Sequence, residues 1–132
     1  MIRPYTPRDY STIAGWADAR HLPAPPVAML PKHGVISYRF NDSDILAAAW
    51  VYLDTYAGVG FPHWLMTAPN LPLKTARESV GEILDALKEI AKEEGIHTLI
   101  TTTCEEGITR EAINQFRWQY IGTGSILYLE VN

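Results

Sequence analysis

Hydrophobic side chains recur at helical spacing between residues 80 and 91, and this pattern predicts the longest helix of the chain. The apolar positions are Val80, Ile83, Leu84, Leu87, Ile90 and Ala91. Charged side chains occupy the opposite face, so one side of this helix should pack on a sheet. Gly95 can supply the left-handed residue that ends many helices, which predicts a helix over residues 75–94.

Short runs rich in β-branched and aromatic residues predict strands on both sides of this helix. The predicted strands are residues 2–5, 34–40, 45–54, 62–68, 98–103 and 125–131. The polar segment 41–44 should join the second and third strands as an antiparallel hairpin. Strand 62–68, the long helix and strand 98–103 should form a parallel crossover.

Further helices are predicted by their start signals. Thr6 precedes Pro7 and lies three residues before Asp9, a combination that favours a helix N-terminus. The first helix should end near residue 19, before a proline-bearing loop over residues 21–31 with one short turn at 27–30. A shorter helix is expected at 109–116. The prediction is one α/β (α+β) domain of residues 1–132, with a mixed central sheet of about six strands flanked by three to four helices.

Composition limits the classes of partner. A chain of 132 residues with 47% hydrophobic and 20% charged residues suits one packed core. The net charge of −4 comes without a basic stripe, which argues against nucleic acid and anionic membranes as partners. Cys104 is the single cysteine, and the first eight residues lack the apolar run of a signal peptide, so a cytoplasmic location is expected.

Three features carry a resemblance to a known family. They are Arg3 with Asp9 near the N-terminus, the strand over residues 64–70, and the segment 91–95 at the end of the long helix. With the element order, they make nearly the whole chain resemble the GNAT superfamily of N-acetyltransferases. The resemblance implies a V-shaped gap between the fourth and fifth strands that holds the pantetheine of acetyl-coenzyme A. The backbone of Met66, Thr67 and Ala68 would contact it. An amine acceptor would enter past the proline-bearing loop.

The loop before the long helix departs from the family pattern, which places the cofactor pyrophosphate on bare helix amides. Where many GNAT enzymes have glycines, this chain has Glu78 and Val80, and Thr75 stands at the preceding Arg or Gln position. Thr75 and Glu78 fit a capping box that would occupy these amides. Lys74, Thr75 and Arg77 are the candidate phosphate-binding residues, and the alternative is a structural cap with solvated cations.

Two residues are candidates for proton transfer. The resemblance implies a tyrosine that protonates the departing thiolate, but Phe116 occupies that position, so Tyr120 is the candidate acid. Asp54 should share a strand face with Trp50 and Tyr52, which makes it a candidate general base. Alternatively, Asp54 is a solvent-exposed residue at the end of the strand without a catalytic role.

The remaining chemistry-bearing residues predict neither a metal site nor a cysteine nucleophile. The four histidines are His21, His33, His63 and His97, and they lack metal-ligand spacing. His63 alone lies near the expected cleft. The acidic residues that follow Cys104 would suppress its thiolate. An aromatic group either lines the cleft or packs in the core; it comprises Trp50, Tyr52, Tyr56, Phe61 and Trp64.

Two functions are compatible with the sequence. The first is a small acyl-coenzyme A-dependent N-acyltransferase acting on an amine. The second is a GNAT-fold protein that has lost cofactor binding and uses the cleft as a binding or interaction module for a protein partner.

Overall fold

The computed structural model describes residues 1–102, 110 and 113–122. The chain divides into two compact units, residues 1–102 and 103–132, and the expectation of one domain stays a prediction. The predicted strand 125–131 and Cys104 lie outside the described residues. In the second unit, residues 110 and 113–116 are helical, within the helix predicted at 109–116.

The first unit is built on one sheet with two α-helices. Its described strands are β1 (Ile2–Pro4), β2 (His33–Tyr38), β3 (Ile45–Asp54), β4 (Val59–Thr67) and β5 (Thr98–Leu99), and its α-helices are α1 (Tyr10–Ala19) and α2 (Leu73–Glu93). Short 3-10 turns occupy Pro7–Asp9 and Val27–Met29. The strand order is β1-β2-β3-β4-β5; the first four strands are antiparallel and β5 runs parallel to β4. The predicted mixed α/β class is confirmed, with five described strands against about six expected.

The core lies on both faces of β3, whose residues 45–51 are all buried. On one face, Ile13 and Trp16 of α1 pack with Ile36, Ala48 and Trp50. On the other face, α2 packs Ile83 and Leu87 against β2 and β3. The predicted sheet-facing side of α2 is therefore confirmed, and burial of its apolar stripe stabilises the helix on the sheet.

Trp50 belongs to the core and not to a cleft wall. Its side chain is fully buried, and the ring of Tyr5 meets it edge-on at 4.9 Å between centroids. The indole lies directly over Gly34, where an added Cβ would stand 2.3 Å from Nε1. Glycine is therefore required at position 34 because the indole occupies the side-chain space.

The pairing of β4 with β5 is limited to Val59 with Thr98 and Gly60 with Leu99. Pro62, the next β4 residue facing β5, has no N–H with which to continue the ladder. Its carbonyl accepts a hydrogen bond from the Thr101 side chain, at 2.7 Å, where a backbone N–H would otherwise donate. The strand predicted over 98–103 consequently ends early within the described residues.

The start of α2 corrects the predicted capping box. The helix begins at Leu73, and Pro72 is its N-cap residue, with no side-chain hydrogen bond to the cap. Thr75 lies inside the first turn, where its carbonyl accepts a hydrogen bond from the Ser79 hydroxyl. The prediction that Thr75 caps the helix is therefore wrong, because Pro72 has a fixed φ suited to a helix entry and starts the helix earlier.

Candidate functional site

An open pocket of about 550 Å³ lies beside the point where the β4–β5 pairing stops. Its walls are Met29, Tyr52, Phe61, His63 and Trp64. The proline-bearing loop contributes Met29, β3 contributes Tyr52, and β4 contributes the other three side chains. The pocket therefore forms where the loop meets two paired neighbouring strands.

The Tyr52 hydroxyl joins these three parts. It donates a hydrogen bond to the Met29 carbonyl at 2.7 Å and accepts one from Trp64 Nε1 at 2.9 Å. A hydroxyl carries one donor and two acceptor sites, so the single proton of Tyr52 is already engaged by the Met29 carbonyl. The position of the loop is thereby fixed relative to β4.

His63 brings a titratable group to the pocket wall. Its ring meets the Trp64 ring at 4.6 Å and 87° and the Tyr52 ring at 6.0 Å and 69°. Desolvation by its surroundings lowers the pKa of His63 below its ordinary value, because the charged imidazolium loses water contacts. His63 is still an exposed residue of β4, and the lowered pKa favours its neutral imidazole, which can accept a proton.

A β-bulge in β4 shapes the same wall. The register with β3 shifts between Ala48 and Trp50, so Trp64 and Leu65 together stand opposite Ala49. Trp64 has a φ of +60°, a left-handed conformation that is costly for a bulky side chain. Such strain often marks a functional position, and here it accompanies an indole that lines the pocket.

The N-terminus of α2 presents backbone donors. Ala76 N–H makes the bond to the Pro72 carbonyl at 2.9 Å, so the N–H groups of Leu73, Lys74 and Thr75 precede the helical ladder. Lys74 lies 3.9 Å from Glu78, and both side chains are exposed. This turn therefore presents the first amides of a helix, which suit an anionic group, beside an exposed pair of opposite charges.

Comparison with solved structures identifies the fold. A transcriptional regulator from Bacillus halodurans superposes with a TM-score of 0.71 at 18% identity, covering 98% of this chain and 99% of that one. An acetyltransferase from Trypanosoma brucei gives 0.65 at 14% identity, with 96% and 99% covered. The aminoglycoside N-acetyltransferase AAC(6')-Iy, in complex with CoA, gives 0.61 at 15% identity, with 99% of each chain covered.

The chain has the GNAT fold. The sequence itself matches no protein-family model and no curated protein. Because these sequence identities are low, the similarity to the solved structures shows the fold alone. Function has to be argued from the pocket and its neighbours.

Of the residues predicted to contact pantetheine, Met66 and Thr67 are the last two residues of β4, and Ala68 follows them. The Ala68 N–H is engaged with the Leu46 carbonyl at 2.8 Å, and Met66 pairs with Ala48. Since backbone groups alternate along a strand, those of Thr67 face away from β3. Of the three residues, Thr67 has the backbone best placed for a ligand, and the contacts themselves stay a prediction.

Asp54, the predicted general base, is not among the described residues that line the pocket. Asp54 is exposed, and its Oδ1 accepts a hydrogen bond from the Ala57 N–H at 3.0 Å, which closes the turn before β4. Tyr120 belongs to the second unit and is 59% exposed. The roles of Lys74, Thr75, Arg77, Asp54 and Tyr120 in the GNAT-type site stay predictions.

Three of the five predicted aromatic residues do line the pocket, namely Tyr52, Phe61 and Trp64. Trp50 is core, and Tyr56 is fully exposed outside the walls. His63 was the residue that the sequence did not single out for chemistry. Alternation with Phe61 along β4 was the available signal, since both side chains then point to one face.

Two kinds of feature are absent from the part of the chain that the structure describes. Residues 1–102, 110 and 113–122 contain no cluster of three or more metal-ligating side chains. Over the same residues, no helix has the length and apolar character needed to cross a bilayer.

Proposed function

We propose that this protein is an acyl-coenzyme A-dependent N-acyltransferase whose acceptor amine binds in the pocket beside β4. The observation that carries the proposal is the position of His63. Its neutral imidazole lines an apolar pocket next to Pro62, where β4 and β5 part in a GNAT fold. A proton acceptor therefore lies beside the gap in which a thioester is expected to bind.

The proposed reaction is a direct transfer. The acceptor nitrogen attacks the thioester carbonyl carbon, a C–N bond forms and the C–S bond breaks. His63 accepts the proton that the nitrogen loses, and coenzyme A leaves as a thiolate. A proton taken up from water converts this thiolate to a thiol. Direct attack needs no covalent enzyme intermediate.

The end of β4 and the first turns of α2 are proposed to hold the cofactor. Contacts to pantetheine and phosphates are assigned to Met66, Thr67, Ala68, Lys74, Thr75 and Arg77. Because no capping box occupies the first amides of α2, phosphate oxygens can bind both these amides and the cations. Acetyl-coenzyme A is the proposed cofactor.

One observation favours a second function, a binding module that has lost the cofactor. The segment from Leu73 onward is helical and contains no glycine before Gly81, whereas many GNAT enzymes have a glycine-bearing loop there. Side chains on this turn leave less room for a pyrophosphate to reach the backbone. In that case the pocket binds a partner and no acyl transfer occurs.

Titration with acetyl-coenzyme A distinguishes the two functions. We expect binding by calorimetry, and we expect Lys74→Ala with Arg77→Ala to raise the dissociation constant at least tenfold, or about 1.4 kcal/mol. The matched control is Lys88→Ala with Lys92→Ala, which removes the same charge farther along α2. Equal effects of the two pairs would show a general charge effect and no phosphate site.

His63→Gln tests the chemical step. We expect kcat with an amine acceptor to fall about 100-fold while acetyl-coenzyme A still binds, since a positioned base contributes about that much. The wild-type rate should also decline as pH falls through the lowered pKa of His63. A fall in kcat of less than threefold would show that His63 is not the base. If the wild-type protein neither binds acetyl-coenzyme A nor turns over an amine, the second function, a binding module, is favoured.

A further inference from the structure

The polar groups of the pocket are almost all engaged with one another. The Tyr52 proton goes to the Met29 carbonyl, and the Trp64 N–H goes to the Tyr52 oxygen. Among the residues that the structure describes, no wall residue carries a carboxylate, ammonium or guanidinium group. Among the described residues, the His63 ring has aromatic neighbours but no hydrogen-bond partner. The described walls therefore offer a ligand one principal polar contact, the imidazole of His63.

The shortage of hydrogen-bond partners on the described walls lowers the affinity for polar ligands. A sugar hydroxyl or a carboxylate that enters the pocket loses its water and finds few partners. Each unpaired polar group costs about tenfold or more in affinity. An apolar ligand body loses nothing of this kind and gains from burial against the walls.

The ring geometry suits a flat ligand. The rings of Tyr52 and Trp64 stand at 69° and 87° to the ring of His63, so faces and edges alternate around the pocket. Aromatic rings bind best when offset or edge-to-face. Phe61, which is 42% exposed, adds a further ring at the open side.

We propose that the pocket selects amines with an aromatic or apolar body and the amino group as the single polar group. Aminosugars and acidic amino acids are rejected because their further polar groups find no partners on the walls. The inference rests on the proposed function, which makes the bound molecule an acyl acceptor. It narrows the acceptor to one chemical class.

Equilibrium binding without any acyl donor tests this inference. Benzylamine, glucosamine and glutamate are titrated by calorimetry against the full chain. We expect benzylamine to bind at least tenfold more tightly than either polar amine. Equal or tighter binding of glucosamine or glutamate would overturn the inference, as would failure of benzylamine to bind at millimolar concentration.

Two substitutions tie the preference to this pocket. Phe61→Ser should weaken benzylamine binding at least threefold because it removes an apolar wall. Tyr56→Ser is the matched control, since it makes the same kind of change at a fully exposed ring outside the pocket, and it should leave binding unchanged. Equal effects of the two substitutions would overturn the assignment to the pocket.

The outcome also distinguishes this inference from the proposed function. If benzylamine binds with the expected preference but acetyl-coenzyme A does not bind, the ligand class stands and the acyl transfer fails. If acetyl-coenzyme A binds but the amine preference is absent, the inference fails and the acyltransferase proposal remains.

Discussion

Asp9 is a buried charged residue that holds the N-terminal segment of the chain in place. Arg3 donates two hydrogen bonds to its carboxylate, at 2.8 and 2.9 Å, and the Thr6 N–H donates a third at 2.9 Å. Burial by itself raises the pKa of Asp9, but the hydrogen bonds from Arg3 and Thr6 outweigh it, so the pKa lies below its ordinary value. The ionised carboxylate thus stabilises the folded chain.

Asp9→Asn should lower the free energy of unfolding by about 1–3 kcal/mol near neutral pH. The contribution of Asp9 is complete above its unfolded pKa, near pH 4, and is lost as pH falls through the lower folded pKa. The variant should therefore show a flatter decline of stability in acid. Urea unfolding at a series of pH values measures both effects.

Asp42→Asn provides the control for this prediction, since Asp42 makes an exposed ion pair with Arg8. Exposed pairs contribute about 0–1 kcal/mol. If both substitutions destabilise the protein equally, the burial of Asp9 has no special effect and the prediction is wrong.

At the scale of elements, two glycines serve opposite purposes. In β2, Gly34 gives its side-chain space to the Trp50 indole, and Tyr5 closes the same space from another side. In α1, Gly15 has no atom within 4 Å of an added Cβ. One glycine is required by packing, and the other only lowers helix stability.

Gly34→Ala should therefore destabilise the protein by about 1–3 kcal/mol, because a fully buried indole cannot move aside without strain. Gly15→Ala should instead stabilise it by about 0.5–1 kcal/mol. Thermal or urea unfolding of the two variants tests the contrast. A change of the same sign in both would contradict it.

The elements also show what local patterns can and cannot predict. The bounds of β3 at Ile45 and Asp54 followed from an apolar run that contains the β-suited Trp50, Val51 and Tyr52. The buried stripe of α2 followed from helical spacing. The start of α2 did not, since Thr75 and Glu78 fit a capping box by sequence but lie inside a helix that begins at Leu73. Only the chain path between β4 and α2 decides where the helix begins.

At the scale of the whole molecule, the described core and the site in residues 1–102 share β3. Trp50 fills the core two residues before Tyr52, whose hydroxyl holds the pocket together. The sequence could predict the GNAT fold because element order survives changes in individual residues. It offered an aromatic cleft wall as one alternative, but it could not predict that Met29, Tyr52 and His63 come together, since they meet only after the sheet and loop have formed.

Cofactor binding should raise the free energy of unfolding of the protein. If acetyl-coenzyme A binds the folded chain alone, a concentration 100 times the dissociation constant should add about 2.7 kcal/mol to the free energy of unfolding. Thermal unfolding at increasing acetyl-coenzyme A measures this. The Lys74→Ala, Arg77→Ala variant should need at least tenfold more ligand for the same shift. An unchanged midpoint for wild-type protein would favour the binding module.

The hydroxyl of Tyr52 has a consequence for how the pocket comes apart. It bonds one residue of the proline-bearing loop and one of β4, so both segments are held through the same oxygen. We therefore expect release of the loop and loosening of the pocket wall to be coupled, with similar opening free energies for the two segments. Amide protons on either side of the pocket should exchange with solvent at a common rate, and a ligand seated between them should slow both together.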